Sequence, residues 1–410
     1  MADEAPPHVL QLTPLNPAFR EDPYAMLKAL RTHHPVMRDE MAGVFFLTRH
    51  EDVRGMLTDL TLWRDPAKAE PAAVLTRRIL EEAEVRDDGE RAGSILLMDD
   101  PDHARIRGPL AQALYKRVAR CRDLVEDVVS DALAPLAGVQ AFDIMEGVAL
   151  PIPIDVIARI LGVDRTRLKE FRDWSEGLIQ GLNPLRTPDQ TEHLIRANDA
   201  LVAFMTAMLA ARRATPEDDL VTDMVQLQAA GAELSDGDLL ANLIALLVAG
   251  NLTTTDLIGN GVRLLLLNPG ELAKLRADPS LISSAVEEIL RYEPPVDVTG
   301  RVASRDLDVG GCPIHATQSM LLSLRGANRD PEMFEDPDRF DISRTRNRHV
   351  AFGGGAHICI GAPLARLEAQ VALARLFERF PTLRLADPDA PPVWRTLPFF
   401  RGLERLDVLV

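Results

Sequence analysis

Apolar positions recur every three to four residues along most of the chain, which is the pattern of amphipathic α-helices. The segments predicted as helices are 22–30, a helix from residue 51, 105–133 (more than one helix, ended by Pro135), 153–160, 165–182, 191–214, 235–267 and 271–293. Short apolar runs between turn residues predict strands at 43–47, 296–303, 307–309 and 319–324. Helices outnumber strands, so the predicted fold class is mainly α with small β-sheets.

The longest predicted helix, 235–267, has Asp236 in its first turn, and Asn268-Pro269 marks its end. Its most apolar part, 239–250, is interrupted by Asn242 and is shorter than the roughly 20 residues that cross a bilayer. We therefore predict a buried core helix and no membrane anchor. Residues 60–98 show no regular period and are predicted to form an irregular loop.

The formal net charge of −16 argues against a nucleic-acid partner, because phosphate binding needs clustered cations. One local stretch departs from this balance, since residues 103–122 contain no acid. Its basic residues are Arg105, Arg107, Lys116, Arg117, Arg120 and Arg122. Two interpretations stay open: a solvated helix face, or a docking site for an acidic protein.

Three widely spaced cysteines, Cys121, Cys312 and Cys359, do not form a disulfide framework. The first residues carry no basic segment followed by an apolar run, so no secretory signal is predicted. Both observations favour a cytoplasmic protein.

The segment 352–361, Phe-Gly-Gly-Gly-Ala-His-Ile-Cys-Ile-Gly, places Cys359 just before a strongly periodic helix that carries Pro363 near its start. A helix N-terminus lowers the pKa of a thiol, and the thiolate is the form that binds metals. Glycines ahead of the cysteine permit backbone conformations that side chains forbid. The alternative is a glycine-rich loop with an inert cysteine.

The spacing of this segment resembles that of the cytochrome P450 family, the haem-thiolate monooxygenases, and in particular its soluble bacterial class I members. The matching positions are Phe352, Gly355, His357, Cys359 and Gly361. The resemblance implies the triangular prism fold, one haem domain over 1–410, and heme b (iron protoporphyrin IX) as the cofactor. It also implies that Cys359 is the iron ligand.

Two further family motifs concern the scaffold and the haem propionates. Glu288 and Arg291 form a Glu-x-x-Arg pair on one helix face, and the resemblance implies that the pair is buried, with Arg339 as a third partner. Its implied role is structural. The residues implied as propionate or haem contacts are His103, Arg107, Arg301 and His357, and the alternative for each is a surface charge or a satisfied core histidine.

The long central helix carries the family's oxygen-binding pattern at Ala249, Gly250, Thr253 and Thr254. By resemblance, Gly250 lets haem and dioxygen approach the backbone, and Thr253 hydrogen-bonds dioxygen in a local groove. The alternative is a threonine that bonds back to its own helix.

One position departs from the family pattern, because Leu252 stands where an acid is usual. Leucine cannot relay protons, so we expect another route, for which Asp256 is a candidate and Asn251 could orient water. Alternatively, Asp256 faces solvent or pairs with an arginine.

The family pattern also implies a substrate pocket with mainly apolar walls, although each member could equally be core packing. The implied residues are Leu96, Ala245, Val248, Ala249, Val296, Val298, Thr299 and Phe399. Asp297 is either a polar anchor in this pocket or an outward-facing strand residue.

The function implied by the resemblance is insertion of one oxygen atom from dioxygen into an apolar small organic substrate. Electrons are expected from a separate iron–sulfur ferredoxin and its NAD(P)H-dependent reductase, and the protein is expected to be a monomer. Two alternatives remain. One is a peroxide-using or otherwise atypical enzyme of the same fold, and the other is a haem protein that binds small molecules without catalysis.

Overall fold

A computed structural model describes residues 6–78, 93–183 and 185–410 of the chain. In these ranges the α-helices are α1 (Pro17–Glu21), α2 (Pro23–His33), α3 (His50–Thr58), α4 (Val74–Arg78), α5 (Asp102–Val118), α6 (Arg122–Leu133), α7 (Pro151–Leu161), α8 (Leu168–Ile179), α9 (Pro188–Ala214), α10 (Leu220–Ala229), α11 (Asp236–Leu267), α12 (Pro269–Ala277), α13 (Ile282–Tyr292), α14 (Leu324–Ala327) and α15 (Ala362–Arg379). The predicted helices are confirmed, to within a few residues at their ends. Helix α10 and the short helices α1, α4 and α14 were not predicted.

The strands are short and form several small sheets. They are β1 (Val36–Asp39), β2 (Val44–Leu47), β3 (Ala141–Asp143), β4 (Val298–Val302), β5 (Leu307–Val309), β6 (Cys312–Ile314), β7 (Ser319–Ser323), β8 (Arg384–Leu385), β9 (Val393–Trp394), β10 (Leu403–Arg405) and β11 (Asp407–Leu409). The largest sheet has the order β1-β2-β7-β4, in which β2 and β7 are parallel. Strand β4 pairs with β7 in antiparallel register, with Arg301 opposite Met320.

Helix α11 runs through the core and packs on α7 and α15. It begins with a capping box, in which Ser235 Oγ accepts from the Asp238 amide at 3.0 Å and the Asp238 carboxylate accepts from the Ser235 amide at 2.9 Å. By length and composition, α9 and α11 could each cross a membrane. Most of α11 is buried inside the protein, however, as the sequence predicted for a core helix.

The predicted irregular loop 60–98 is only partly within the described residues, because 79–92 lie outside them. In the described part, Trp63 bridges to Val302 next to β4, and α4 is a short helix. The segment after residue 92 rejoins the core at Ile95, whose amide donates to the Asn242 side chain on α11 at 2.9 Å. The described parts of this segment therefore contact the edge of the sheet at Trp63 and the central helix at Ile95.

Candidate haem and oxygen site

Cys359 lies between a tight turn and the start of α15, at the end of a loop that packs on α3. Its amide donates to the Phe352 carbonyl at 2.9 Å, which closes the loop. Gly355 has a φ of 65°, and a Cβ atom at this position would lie 2.4 Å from the Leu57 carbonyl oxygen of α3. Only glycine permits both this backbone conformation and this close approach.

Cys359 is exposed on one side, and protein atoms surround its thiol on the others. Burial raises the pKa of this thiol, whereas the amides of Gly361 and Ala362 and the charge of Arg107 act to lower it. Amide donors at the start of a helix and a nearby cation are the groups that stabilise a thiolate ligand. The helix N-terminus that the sequence predicted beside Cys359 is present, but burial outweighs its effect and the pKa of the thiol is raised.

The loop before Cys359 is held by a second set of contacts from α13 and α15. Arg366 donates to Glu287 at 2.6 and 2.9 Å and stacks on Phe352, 4.5 Å from its guanidinium carbon to the ring centroid. His349 lies 3.0 Å from the same carboxylate. Burial raises the pKa of Glu287, but the hydrogen bonds from His349 and Arg366 bring it to about 2. These contacts fix the loop on two helices.

The Glu-x-x-Arg pair is buried, as the resemblance implied. Glu288 and Arg291 both have 0 % exposed side chains, and their two hydrogen bonds measure 2.7 and 2.8 Å. Arg339 does not contribute its side chain, which is 64 % exposed and pairs with Asp341. It offers its backbone carbonyl to Arg291 at 3.0 Å instead. Two other side chains contact Glu288, Arg344 at 3.2 Å and Asn347 at 3.1 Å, and the family motif indicated neither.

Two of the predicted propionate contacts are stacked histidines. The ring centroids of His103 and His357 are 4.1 Å apart. His103 is 3 % exposed, and its Nδ1 lies 3.3 Å from Asp100, whereas its Nε2 has no hydrogen-bond partner among the described residues. Arg107 donates to the Ile358 carbonyl, next to Cys359. A buried ring nitrogen without a partner fits an external acceptor such as a carboxylate.

The cations around this site lack carboxylate partners. No ion pair joins Arg107, Arg301 or Arg64 to an acid in the part of the chain that the structure describes. Arg301 is 4 % exposed, and burial lowers its pKa to about 10. The pKa of His357 is lowered to about 3. Burial is the largest cause, and the charges of His103, Arg64, Arg301 and Arg107 lower it further. Uncompensated cations beside an available thiol fit haem, which carries two carboxylates.

Arg64 is a member of this cluster that sequence reasoning missed. It lies in the stretch 60–98, where neither a period nor a motif marked it. Its only sequence signal is a basic residue directly before Asp65-Pro66. The tertiary fold brings it beside Arg301, which is distant in sequence.

On α11 the predicted oxygen and substrate residues share one partly exposed stripe within an otherwise buried helix. Its members are Ala245, Val248, Ala249, Leu252 and Thr253. Thr253 donates its hydroxyl to the Ala249 carbonyl at 2.9 Å. Gly250 lies near Ile157 of α7, and Thr254 is buried. The stripe therefore presents an apolar surface with one hydroxyl on a partly exposed face of the helix.

The next turn of α11 carries buried polar atoms. Asn251 Oδ1 and Thr255 Oγ1 have no hydrogen-bond partner among the described residues. Asp256 has 0 % exposure and forms an ion pair with Arg395 of the β9–β10 segment. The sequence left three possibilities for Asp256: a place in the proton route, solvent exposure, or pairing with an arginine. Solvent exposure is wrong, and the structure shows pairing with Arg395.

The other pocket residues lie on two segments next to each other. Val296 bridges to Phe400, and the Asp297 amide donates to the Phe399 carbonyl at 2.9 Å. Val298 and Phe399 pack in one apolar cluster. Leu96 and Thr299 are joined through Arg64.

Asp297 is not an outward-facing residue, and one of its carboxylate oxygens, Oδ2, is buried without a hydrogen-bond partner among the described residues. It is 3 % exposed and pairs with Arg325 at 2.5 Å, so its role is structural.

The basic stretch 103–122 is partly neutralised by folding. Arg105 pairs with Asp238 at 2.9 Å, and Arg117 pairs with Asp223 at 2.5 Å. Lys116 and Arg120 are exposed and have no ion pair in the described ranges. The exposed charge is thus smaller than the sequence suggested.

Comparisons with known proteins agree with this geometry. The family model of cytochrome P450 matches residues 91–395. Cytochrome P450 107B1 of Saccharopolyspora erythraea is 40 % identical over 407 residues, covering 98 % of each chain. The 6-deoxyerythronolide B hydroxylase of the same organism is 35 % identical over 397 residues, covering 95 % of this chain and 96 % of its own.

Among solved structures, P450BioI in complex with hexadec-9Z-enoic acid ligated acyl carrier protein is similar, with a TM-score of 0.85 and 32 % identity, covering 96 % of this chain and 100 % of its own. The polyketide synthase cytochrome P450 PksS of Bacillus subtilis 168 has a TM-score of 0.86 and 32 % identity, covering 97 % and 98 %. The chain therefore belongs to the cytochrome P450 family, and it is an oxidoreductase whose cofactor is heme b.

Proposed function

We propose that this protein, acting as one haem domain over 1–410, inserts one oxygen atom from dioxygen into an apolar small organic substrate. The observation that carries the proposal is the stripe on α11, where Ala245, Val248 and Ala249 form an apolar wall around the Thr253 hydroxyl. Such a wall orients a substrate by shape and excludes water. The Thr253 hydroxyl is the one polar group in this wall that could hydrogen-bond a ligand there.

The chain's own residues would divide the work as follows. Cys359, supported by the amides of Gly361 and Ala362, would ligate the iron, while His103, Arg107 and Arg301 would hold the propionates. When bound, haem supplies the oxygen-activating redox chemistry. Phe352 and Gly355 keep the thiolate loop in place through their contacts with Arg366 and α3.

Thr253 is the group that would hold a proton at the reacting face. Its hydroxyl donates to the Ala249 carbonyl, which also accepts the helix hydrogen bond from the Thr253 amide. The hydroxyl can therefore turn toward a ligand while the amide keeps its partner. Leu252 on the same stripe carries no proton. The proton must therefore reach Thr253 by another path.

We propose that this path uses water held at Asn251 and Thr255. Their oxygen atoms are buried without protein partners, and buried polar atoms of this kind are normally satisfied by ordered water. The two residues are four apart and lie on one helix face, whereas Thr253 lies on the opposite face, so the water path has to pass around the helix to reach it. Asp256 is engaged by Arg395, so it supports the scaffold of the pocket rather than the proton path.

Electrons would come from a separate ferredoxin and its NAD(P)H-dependent reductase. The exposed cations are Lys116 on α5, Arg120 between α5 and α6, and Arg122 on α6, which also pairs with Glu126. Together with exposed Ile358 next to Cys359, they support docking of an acidic protein on this side. Charge reversal at Lys116 or Arg120 should slow electron transfer at low salt and leave substrate binding unchanged.

A ligand screen followed by reconstitution tests the proposal. Apolar compounds, with 6-deoxyerythronolide B in the first set because a relative is named for it, are screened for the iron spin-state shift. A compound that shifts the spin state should then be oxygenated with consumption of NAD(P)H when ferredoxin and reductase are added. Binding without oxygenated product under any electron donor would refute monooxygenation and favour the non-catalytic alternative.

A second candidate function, oxygenation with hydrogen peroxide, is favoured by Leu252. Peroxide brings its own protons and electrons, so it needs neither the usual acid nor a redox partner. Turnover with peroxide that exceeds turnover with ferredoxin and reductase at saturating concentrations would select this alternative.

A further inference from the structure

Arg64 joins two segments of the predicted substrate pocket. Its Nε donates to the Leu96 carbonyl at 3.0 Å. Its Nη1 donates to the Thr299 hydroxyl at 2.8 Å and to the Gly300 carbonyl at 2.7 Å. Leu96 belongs to the 94–99 loop, whereas Thr299 and Gly300 belong to β4. One side chain thus holds the loop against the strand.

All three of these acceptors are neutral, so the charge of Arg64 is not compensated by them. The nearest acid is Asp99, but its carboxylate is engaged by Lys68 at 2.9 Å and by the backbone amide of Arg64 at 2.5 Å. The Arg64 guanidinium has no ion pair in the described ranges, and its Nη2 makes no hydrogen bond there. Burial and the charge of Arg301 lower the pKa of Arg64 to about 9.

Arg301 is buried and Arg64 is partly exposed, and two neighbouring cations that repel each other are destabilising unless an anion lies between or beside them. Arg301 occupies β4 directly after Gly300, the residue whose carbonyl accepts from Arg64. The two guanidinium groups therefore converge on the same edge of the site. A planar guanidinium with a free N–H is well suited to bind a carboxylate.

We propose that Arg64 contacts a haem propionate with its free Nη2 and simultaneously holds the 94–99 loop on β4, so that haem retention and the position of the substrate loop depend on one residue. This inference rests on the haem site assigned above. It adds a cofactor contact that the family motifs in the sequence do not indicate, and it makes Arg64 a positioning residue for Leu96 and Thr299.

The test compares the holoenzymes of Arg64→Gln, Arg64→Lys and a control, Arg54→Gln. Arg54 is an exposed cation on α3, without ion pairs in the described part of the chain, so its removal changes net charge by the same amount. Gln removes the charge of Arg64, and Lys keeps the charge without the guanidinium fork. Haem transfer to apomyoglobin, the haem midpoint potential and limited proteolysis of the 94–99 loop are measured for each.

Loss of one charge-assisted hydrogen bond should speed haem transfer about 10-fold in Arg64→Gln. The midpoint potential should fall in Arg64→Gln, because a nearby cation favours the reduced haem, and should change less in Arg64→Lys. Cleavage in the 94–99 loop should increase in both Arg64 variants. Arg54→Gln should match the wild type in all three measurements.

Wild-type haem transfer and potential in Arg64→Gln would overturn the propionate contact, even if loop cleavage rises, because a purely structural tie would give that pattern. Unchanged loop cleavage in both variants would overturn the positioning role. Equal effects in Arg54→Gln would assign the result to net charge and also overturn the inference. The carbonmonoxide band of the reduced protein is recorded for each variant, and its retention shows that the haem-thiolate assignment stands independently.

Discussion

Replacing Glu288 by Gln should destabilise the fold severely without touching the haem site. The carboxylate has 0 % exposure and accepts from Arg291, Arg344, the Asn347 side chain and the Asp341 amide. Gln has the same shape but no charge, so it leaves two buried guanidinium groups without their counter-charge. Breaking a buried pair in this way costs about 3–5 kcal/mol.

The expected shift in melting temperature follows from the size of the chain. For 410 residues, an unfolding entropy of about 2.1 cal/mol/K per residue gives about 0.9 kcal/mol/K. The cost of about 3–5 kcal/mol then lowers the melting temperature by about 3–6 °C.

Thermal unfolding of the holoenzyme, followed by circular dichroism and haem absorbance, measures this shift. Glu192→Gln is the matched control, because Glu192 is 71 % exposed and pairs only with Arg196 on the same helix. Its melting temperature should stay within about 1 °C of the wild type. If Glu288→Gln also stays within that range, the buried pair does not stabilise the scaffold as argued.

Three further outcomes test the site and its surroundings. Cys359→Ser should abolish the red-shifted carbonmonoxide band of the reduced protein, and Cys121→Ser should keep it. The reverse result would show that Cys359 is not the iron ligand. Thr253→Ala should divert reducing equivalents to peroxide, and Leu252→Asp should change product formed per NAD(P)H or the solvent isotope effect; no change in either variant would place the proton route elsewhere. Burial raises the pKa of Glu293, but its arginine neighbours bring it to about 2 in the folded state, below the value of 4.5 in the unfolded chain. The stabilisation from the Glu293 carboxylate is therefore present above pH 4.5 and is lost as the pH falls toward 2. Between pH 6 and pH 3, the melting temperature of Glu293→Gln should fall less steeply than that of the wild type.

The fold class and the thiolate loop could be predicted because their signals are local. Helical periods mark α11 and α15 without any tertiary information, and the glycines around Cys359 report a backbone that only glycine adopts. Resemblance then supplied His103, Arg107 and Arg301, which the structure brings to one site.

The residues that sequence reasoning missed act through long-range contacts. Arg64 and Arg344 carry no motif of their own, and each gains its role only when a distant element lies beside it. Arg339 was assigned a side-chain role that the structure gives to its carbonyl, because a motif fixes the position of a residue but not the atom that makes the contact. The ion pairs of Arg105 with Asp238 and of Arg117 with Asp223 could not be predicted either, because each joins residues that are distant in sequence.

The ion pair between Asp256 and Arg395 has a consequence for building chimaeric enzymes. Loops that line a substrate pocket are attractive units for exchange between relatives, and the segment between β9 and β10 carries Phe399, which we propose as a pocket residue. Here that loop is electrostatically matched to the central helix, since a donor loop without the arginine would leave Asp256 buried with an uncompensated charge. A transplant into this scaffold therefore needs a simultaneous change at position 256, and a library that varies the loop alone would be dominated by unstable proteins.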